Sequence, residues 1–488
     1  MSAIAGMYNK SVNENQLQAM LDSMRHRGPD QMKIHLLKNA GAAAAELSIS
    51  PRSTQAVTGS EYPVVLFDGD IFNDISGSAS NAGYIREQYM KKGKACFSEL
   101  DGSFSCAVLD KEEALLVRDH VGSRPLIYHS QNGSLMFASE AKALLNHTDK
   151  VEELPPGHIY SSRDGLLTFK PYPAELLDFD TPEQAADILE AFMYKAVEKR
   201  MADGAVKAVA LSGGLDSSII ASVAKSIDPA VKLFSTTIKR NPSQDIKYAK
   251  IMAEYLGLDH KIYEITDQEI RDLIPEAVWF METFDEDCIS GAVANYYTSK
   301  CVADYTNCVL VGEGADELFG GYFKELKDIS DLEEKERVAR KLVDIAYNTA
   351  LRRLDRSWLA NSVHYRTPFL DPAVVQLSDR ISLDLKVKYD KQQGRNVEKW
   401  ILRKAMSKWL PEEILNRPKL RFAGGTGVDD LMAELTADKV SEDEFRQNPK
   451  TNGGLELNSP KELYYYRLFQ ERFPVGYETM VARWDPFK

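Results

Sequence analysis

The sequence predicts two halves of different construction, an α+β half followed by a parallel-sheet α/β half. Three observations predict this. The chain has 488 residues, too many for one ordinary core. Up to about residue 170, short apolar runs alternate with turns, which is the pattern of antiparallel strands. Beyond residue 187 strands and helices alternate, which is the pattern of a parallel sheet with crossover helices.

In the first half "YPVVLFDGD", "GSFSCAVLD", "EALLVRDH" and "GSLMFAS" read as strands. Helical stretches near Glu14 to Arg25 and Ala82 to Lys92 accompany them. "FKPYPAELLDFDTPEQAAD" (Phe169 to Asp187) is rich in proline and acid and has no clear period. It reads as a linker, giving a first domain over 1–170, a linker over 171–187 and a second domain over 188–488. In the second domain "VKAVALSGG" is an apolar run ending in glycines, and "SSIIASVAKSI" has helical spacing. "VKLFSTTI" is a strand, "DIKYAKIMAEYLG" a helix with a terminal glycine, and "HKIYEIT" a further strand. From about Asp267 the pattern is mostly helical, with one more strand at "NCVLVGEG".

Apolar residues make up 44% and charged residues 27%, the balance of a water-soluble globular protein. A net charge of -13 argues against a nucleic-acid partner, whose phosphates such a surface repels. The cysteines number five, with no CxxC spacing, and read as reduced thiols of a cytoplasmic protein. The pattern contains no signal peptide and no stretch of about 20 apolar residues, so no membrane partner is expected.

"LSGGLDSS" (Leu211 to Ser218) ends one predicted strand and opens a helix. Gly213 and Gly214 let backbone wrap an anion, and the helix N-terminus points free N–H groups at it. Ser212, Ser217 and Ser218 add hydroxyl donors. Asp216 belongs beside phosphate only if it holds Mg²⁺. The loop resembles the pyrophosphate loop of enzymes that break ATP between the α and β phosphates. It does not resemble the GxxxxGK[ST] loop of γ-phosphate chemistry. "GEGADELFGGY" (Gly312 to Tyr322) supplies Glu313, Asp316 and Glu317 at the end of another strand, where open sheets place ligands. These acids read either as solvated helix caps or, with Asp216, as the second half of a magnesium–pyrophosphate site. In "LPEEILNRPKLRFAGGTG" Lys419 is a surface lysine or a cation for the α-phosphate.

Together these pieces resemble the glutamine-hydrolysing asparagine synthetase family. The first half carries "MRHRGPD", "DGDIFND", "LDGSFSCAVLD", "RDHVGSRPLIY", "FASEAKALL" and "PPGHIYS". The second carries "LSGGLDSSII", "ETFD", "GEGADELFGGY", "RTPFLD", "EKWILRKAM", "NRPK" and "YYYRLFQERFP". The resemblance implies an Ntn-hydrolase-like αββα sandwich followed by an ATP-pyrophosphatase (PP-loop, HUP-like) domain with extra helices. It implies glutamine hydrolysis in the first half and transfer of ammonia through a tunnel. The second half would adenylate a carboxylate, from which ammonia displaces AMP. Leu211, Ser212, Gly213, Gly214, Leu215, Asp216, Ser217 and Ser218, with Gly312, Gly314 and Lys399, are then implied for ATP and pyrophosphate. Asp216 and Asp316 are implied for Mg²⁺, and Glu313 and Lys419 for the reacting centre. Asp287, Ser290 and Asp371 fall in the implied substrate pocket. A homodimer is common in the family.

Four positions depart from the family pattern in the glutamine site. Ser2 stands where the family has cysteine, and Glu46 stands where it has the arginine that binds the glutamine carboxylate. Asp68 stands where it has an oxyanion-binding asparagine, and Asn81 where it has an aspartate for the glutamine amino group. Serine can serve as an N-terminal nucleophile. Glu46, however, repels a carboxylate, and ionised Asp68 cannot donate. The expectation is a domain that keeps its fold and has lost glutamine hydrolysis. In the other pocket Ser290 stands where an arginine falls, and Val311 replaces a small serine. Glu286 and Asp287 either recognise an amine or form a solvated loop. The expected activity is an ATP- and Mg²⁺-dependent amide-forming ligase. It would adenylate a small carboxylate and use ammonia or another amine. β-Lactam synthetase-like ring closure and asparagine synthesis proper are the alternatives.

Overall fold

The computed structural model describes residues 2–50, 56–59, 61–322, 326–327, 329–390, 394–418, 427–481 and 483. Its first half contains strands β1 (Ser2–Tyr8), β2 (Gln31–Leu37), β3 (Ala40–Glu46), β4 (Val57–Thr58), β5 (Val64–Ile71) and β6 (Gly102–Leu109). Strands β7 (Ala114–Arg118), β8 (Ile127–Gln131), β9 (Ser134–Ala138), β10 (Glu152–Glu153), β11 (His158–Ser161) and β12 (Gly165–Thr168) complete it. One antiparallel sheet runs β10-β8-β9-β1-β3-β2 and the other β12-β11-β7-β6-β5-β4. Ile4, Ala42 and Ala44 of the first sheet pack on Leu66, Ala107 and Leu116 of the second. Helix α1 (Glu14–Ser23) lays Leu17 and Met20 on Ala3, Ala5 and Ala43, covering the first sheet's outer face. Helix α2 (Asn81–Lys92) lays Ala82 and Ile85 on Val65 and Phe67 of the second. The four layers are the expected αββα sandwich.

Strand β3 is buried at every residue. Its sequence, "AGAAAAE", puts small side chains on both faces, so helix and second sheet close on it from either side. A strand buried on both faces shows no polar–apolar alternation, and a period-two reading passes over it.

The second half opens with α3 (Pro182–Met201), which begins inside the stretch expected to be linker. Thr181 accepts from the Gln184 backbone N–H, and the Gln184 side chain accepts from Thr181. This is a capping box with proline in the first turn. Strands β13 (Ala208–Ala210), β14 (Lys232–Ile238), β15 (His260–Ile265), β16 (Cys308–Leu310) and β17 (His364–Arg366) form one parallel sheet in the order β15-β14-β13-β16-β17. Helix α4 (Leu215–Ile227) connects β13 to β14, and α5 (Gln244–Leu256) connects β14 to β15. Helices α6 (Asp267–Met281) and α7 (Glu286–Ala303) precede β16, and α8 (Ala315–Phe319) follows it. From β13 the chain winds one way across the sheet and then returns to the other side at β16. A crevice opens at such a switch point, outside the carboxyl ends of the strands.

Buried charges join the two halves. The Arg27 guanidinium lies 2.8 Å from Asp68, 3.1 Å from Glu140 and 2.6 Å from Asp355. Burial alone would lower its pKa, but the three carboxylates hold it charged and well above the ordinary arginine range. Arg356 bridges Glu140 at 3.0 Å and Glu282 at 2.9 Å. Asp70 of β5 meets His364 at 2.7 Å and Arg366 at 2.9 Å, both on β17. All five cysteines are free and buried. Among the described residues no helix is long and apolar enough to cross a membrane.

Candidate active site

A cleft of about 160 Å³ lies at the β13–β16 switch point. Its first wall is the turn from β13 into α4. Gly214 caps α4 without a side-chain acceptor, so the first-turn N–H groups face the cleft. Two hydroxyls brace the turn. The Ser217 Oγ accepts from the Ser212 N–H at 3.1 Å, and the two hydroxyls lie 3.0 Å apart. Gly213 has φ +75°, and a Cβ there would stand 2.4 Å from the Asp245 carbonyl of α5. Glycine is therefore required by both conformation and space. Leu211, Ser212, Gly214, Leu215, Asp216 and Ser217 line the cleft, whereas Gly213 packs on α5 and Ser218 is wholly buried in the core.

The second wall is the loop after β16. A Cβ on Gly312 would lie 2.8 Å from the Ser217 N–H nitrogen, so glycine lets the two loops touch. Gly312, Glu313, Gly314 and Asp316 line this side. Glu317 is buried next to them. Burial, with Glu313 and Asp316 nearby, pushes its carboxyl up to about 7, and Tyr322 donates to it at 2.9 Å.

Lys399 joins the walls. It is buried, and its Nζ lies 2.6 Å from Asp216 Oδ2 and 2.6 Å from Asp316 Oδ1. Two carboxylates from separate loops thus converge on one cationic point. Carboxylate oxygens are the donors that a hard divalent cation takes, alongside phosphate oxygens and water.

Arg353, from the Ala350–Leu359 helix, forms the third side. It lies 2.7 Å from Glu313 and 3.9 Å from Asp287, which also lines the cleft. The guanidinium crosses α7 at Gly291, where a Cβ would stand 2.6 Å from Arg353 Cδ. Sequence reasoning missed this residue. Its one signal is that "ALRRLDRSWL" carries three arginines in a helix buried at every position, and buried arginines need partners. Arg417, also missed, donates to the Gly213 carbonyl at 2.5 Å and pairs with Asp245. It pins the segment that leads to Lys419, which lies outside the described residues.

The structure does not bring two of the expected substrate-pocket residues to the cleft. Ser290 is buried and donates to Asp429 at 2.9 Å. Asp371 caps the Pro372–Arg380 helix and pairs with Arg200 at 2.8 Å and Lys199 at 2.6 Å. Burial opposes its ionisation, but these two cations hold its carboxyl below the usual range. Asp371 therefore ties helices together and does not line the cleft.

In the first half Ser2 pairs in register with Glu46 across β1 and β3. Glu46 is buried, accepts from Lys33 at 3.0 Å and from the Ala56 N–H at 2.7 Å. Asp68 is wholly buried against Arg27. Asn81 opens α2, and its Oδ1 has no hydrogen-bond partner among the described residues.

Comparison with known proteins identifies the family. The asparagine synthase family model matches residues 189–342 and 330–474, and the glutamine amidotransferase domain model matches residues 1–160. The glutamine-hydrolyzing asparagine synthetase of Zea mays is 32% identical over 498 residues, covering 95% of this chain and 84% of that protein. Asparagine synthetase 1 of Saccharomyces cerevisiae is 30% identical over 529 residues, covering 95% of this chain and 91% of that protein. With these matches along nearly its whole length, the chain belongs to the asparagine synthetase family.

Proposed function

We propose that this protein adenylates a small carboxylate with ATP and Mg²⁺ and joins it to ammonia or another amine, without drawing on glutamine. As a member of its family the chain is an AMP-forming carbon–nitrogen ligase. One observation carries the finer reading. The acids that replace the glutamine-binding residues are built in as ion pairs, Glu46 with Lys33 and Asp68 with Arg27. In the nucleotide cleft, by contrast, Asp216, Glu313, Asp316 and Lys399 are all in place. A glutamine carboxylate entering beside Glu46 would meet like charge, and Asp68 bonded to Arg27 offers no donor to an oxyanion.

In the second half the serine-braced turn and the α4 N-terminus bind the phosphates. Asp216 and Asp316 would hold Mg²⁺, which neutralises charge on the departing pyrophosphate. Lys399 holds the two carboxylates together. Arg353 offers the guanidinium that position 290 lacks, so a substrate carboxylate can exchange for Glu313 as its partner. A carboxylate oxygen attacks the α-phosphorus and pyrophosphate leaves. The amine nitrogen then attacks the acyl carbon, and AMP leaves with the electrons of the broken C–O bond.

The test is pyrophosphate release with ATP, Mg²⁺, ammonium and aspartate as the first carboxylate tried. Release with asparagine formed identifies the substrate as aspartate. Asp216→Ala should abolish release with any accepted carboxylate, and retained release would remove Asp216 from the metal site. Ser2→Ala should leave ammonia-driven synthesis unchanged. Glutamine-driven synthesis that disappears in this variant would show a working glutaminase.

A further inference from the structure

The Ala350–Leu359 helix carries Arg353 and is buried at every position. With about 3.6 residues per turn, positions three and four apart share a face. Ala350, Arg353, Leu354 and Trp358 share one face, and all four line the nucleotide cleft. Arg352, Asp355 and Arg356 share the opposite face, and each of them is bonded to the first half. Arg352 pairs with Glu153. Asp355 lies 2.6 Å from Arg27. Arg356 lies 3.0 Å from Glu140 and donates to the Ser139 carbonyl at 3.0 Å.

The anchors are themselves held inside the first half. Arg118, wholly buried on β7, lies 2.9 Å from Glu153 and donates to the Leu154 carbonyl at 2.7 Å. Arg27 and Lys142 both pair with Glu140. Asp68 of β5 holds Arg27 at 2.8 Å. A buried network of this kind fixes one arrangement of its members, because each charge in a low dielectric needs its partner in place. The helix therefore rests one face on a rigid charged bed in the first half and presents the other to the cleft of the second.

We propose that the first half sets where Arg353 stands in the cleft, with Glu153, Arg27 and Glu140 as positioning residues for the reaction of the second half. The proposal rests on the ligase reading above for what Arg353 binds, but not for how its helix is held. It gives the first half a part in carboxylate recognition that needs no glutamine. The geometry of a binding charge matters at this scale, since a displacement of about 1 Å can cost about 10²-fold in rate.

Fluorine NMR of the full-length protein labelled with 5-fluorotryptophan tests this without turnover, because Trp358 is buried on the cleft face of the same helix. Trp358→Phe identifies its resonance among the five tryptophans. Arg352→Gln cuts one tie and leaves Glu153 paired with Arg118. Glu153→Asp shortens the same tie from the other half and keeps its charge. In both variants the Trp358 resonance should move by more than its linewidth. Asp101→Asn cuts a different pair between the halves, Asp101 with Lys199 of α3, and should leave the resonance in place. A resonance unmoved in Arg352→Gln and Glu153→Asp, or moved as far in Asp101→Asn, would overturn the proposal. The two variants lie in different halves, so the test survives if one of them does not fold. Pyrophosphate release with aspartate and ammonium gives a second readout. Arg352→Gln should raise KM for aspartate about ten-fold or more, leave KM for ATP unchanged, and add nothing further in an Arg353→Met background. A full second effect in that background would show that Arg352 does not act through Arg353, and the proposal would fall. Absence of release with aspartate by the unaltered protein would count against the ligase reading, while the fluorine measurement still decides this one.

Discussion

Arg353 holds Glu313 at 2.7 Å on the wall of the cleft. Arg353→Met removes this cation from beside the Glu313 carboxylate. We expect kcat/KM for the adenylated carboxylate to fall by about 10²–10³-fold, the usual cost of losing one preorganised charge partner. Circular dichroism should remain that of a folded protein, and a variant that keeps full activity would remove Arg353 from the site. Asp216 and Asp316 were legible in the sequence because each sits in an acidic or glycine-rich loop at a strand end, whereas Lys399 entered only through the family resemblance. An aspartate in a phosphate loop asks for a metal, and the metal asks for a second carboxylate. Arg353 was not legible, because its partner is 40 positions away and only the packing of helix on helix brings them together. Position 290 carries no guanidinium, but α7 is packed on a helix that brings Arg353 to the same cleft, and comparison position by position does not reveal this.

The place of Arg353 in the cleft depends on how α7 crosses the Ala350–Leu359 helix. Gly291 leaves the space in which the Arg353 side chain runs. In Gly291→Ala the new methyl meets Arg353 Cδ, Nη1 and Nε, all in the distal part of a flexible side chain. The guanidinium should therefore swing away at little cost to stability. Activity should drop at least ten-fold while the thermal midpoint moves only slightly; a large fall in the midpoint with unchanged activity would contradict this. Gly213→Ala should behave differently, because the methyl there meets backbone of α5 and the glycine sits at positive φ. Nucleotide binding and stability should be lost together, measured by ATP titration and thermal unfolding. Among elements, β5, β6, β7, β9, β13, β14, β15 and β16 carry patterns that a sequence shows directly. Strand β3 hides because both faces are buried. Strand β17 hides because "HYR" is not an apolar run although all three residues are buried, and α3 because its capping box lies in a stretch that composition marks as linker.

Buried ion pairs tie the two halves together. Arg27→Met strands Asp68, Glu140 and Asp355 without their shared cation, and loss of one member of a buried pair costs about 3–5 kcal/mol. Denaturant unfolding should show that loss in both halves at once; a loss confined to the first half would argue that they unfold separately. His364 gives a second whole-molecule prediction. Burial drives its pKa down to about 3, with Asp70 opposing and Arg124 adding to the fall. The folded protein therefore keeps this ring neutral, while the unfolded chain protonates it below about 6.5. Stability should fall with pH through that window, by up to about 1.4 kcal/mol per unit for this one group. His364→Asn should flatten the slope measured by urea unfolding between pH 7 and pH 4, and an unchanged slope would assign it to other groups. The pairing of Asp70 with β17 also has a consequence for synthesis. A polypeptide is made from its N-terminus, and domains tend to fold as they emerge. Asp70 leaves the ribosome 294 positions ahead of His364 and 296 ahead of Arg366. For that whole stretch of translation the early half holds a carboxylate whose partners, the Arg366 guanidinium and the His364 ring, do not yet exist. A truncated product that ends before β17 therefore presents Asp70 without either of them, and it is this unmatched face that cellular quality control would meet.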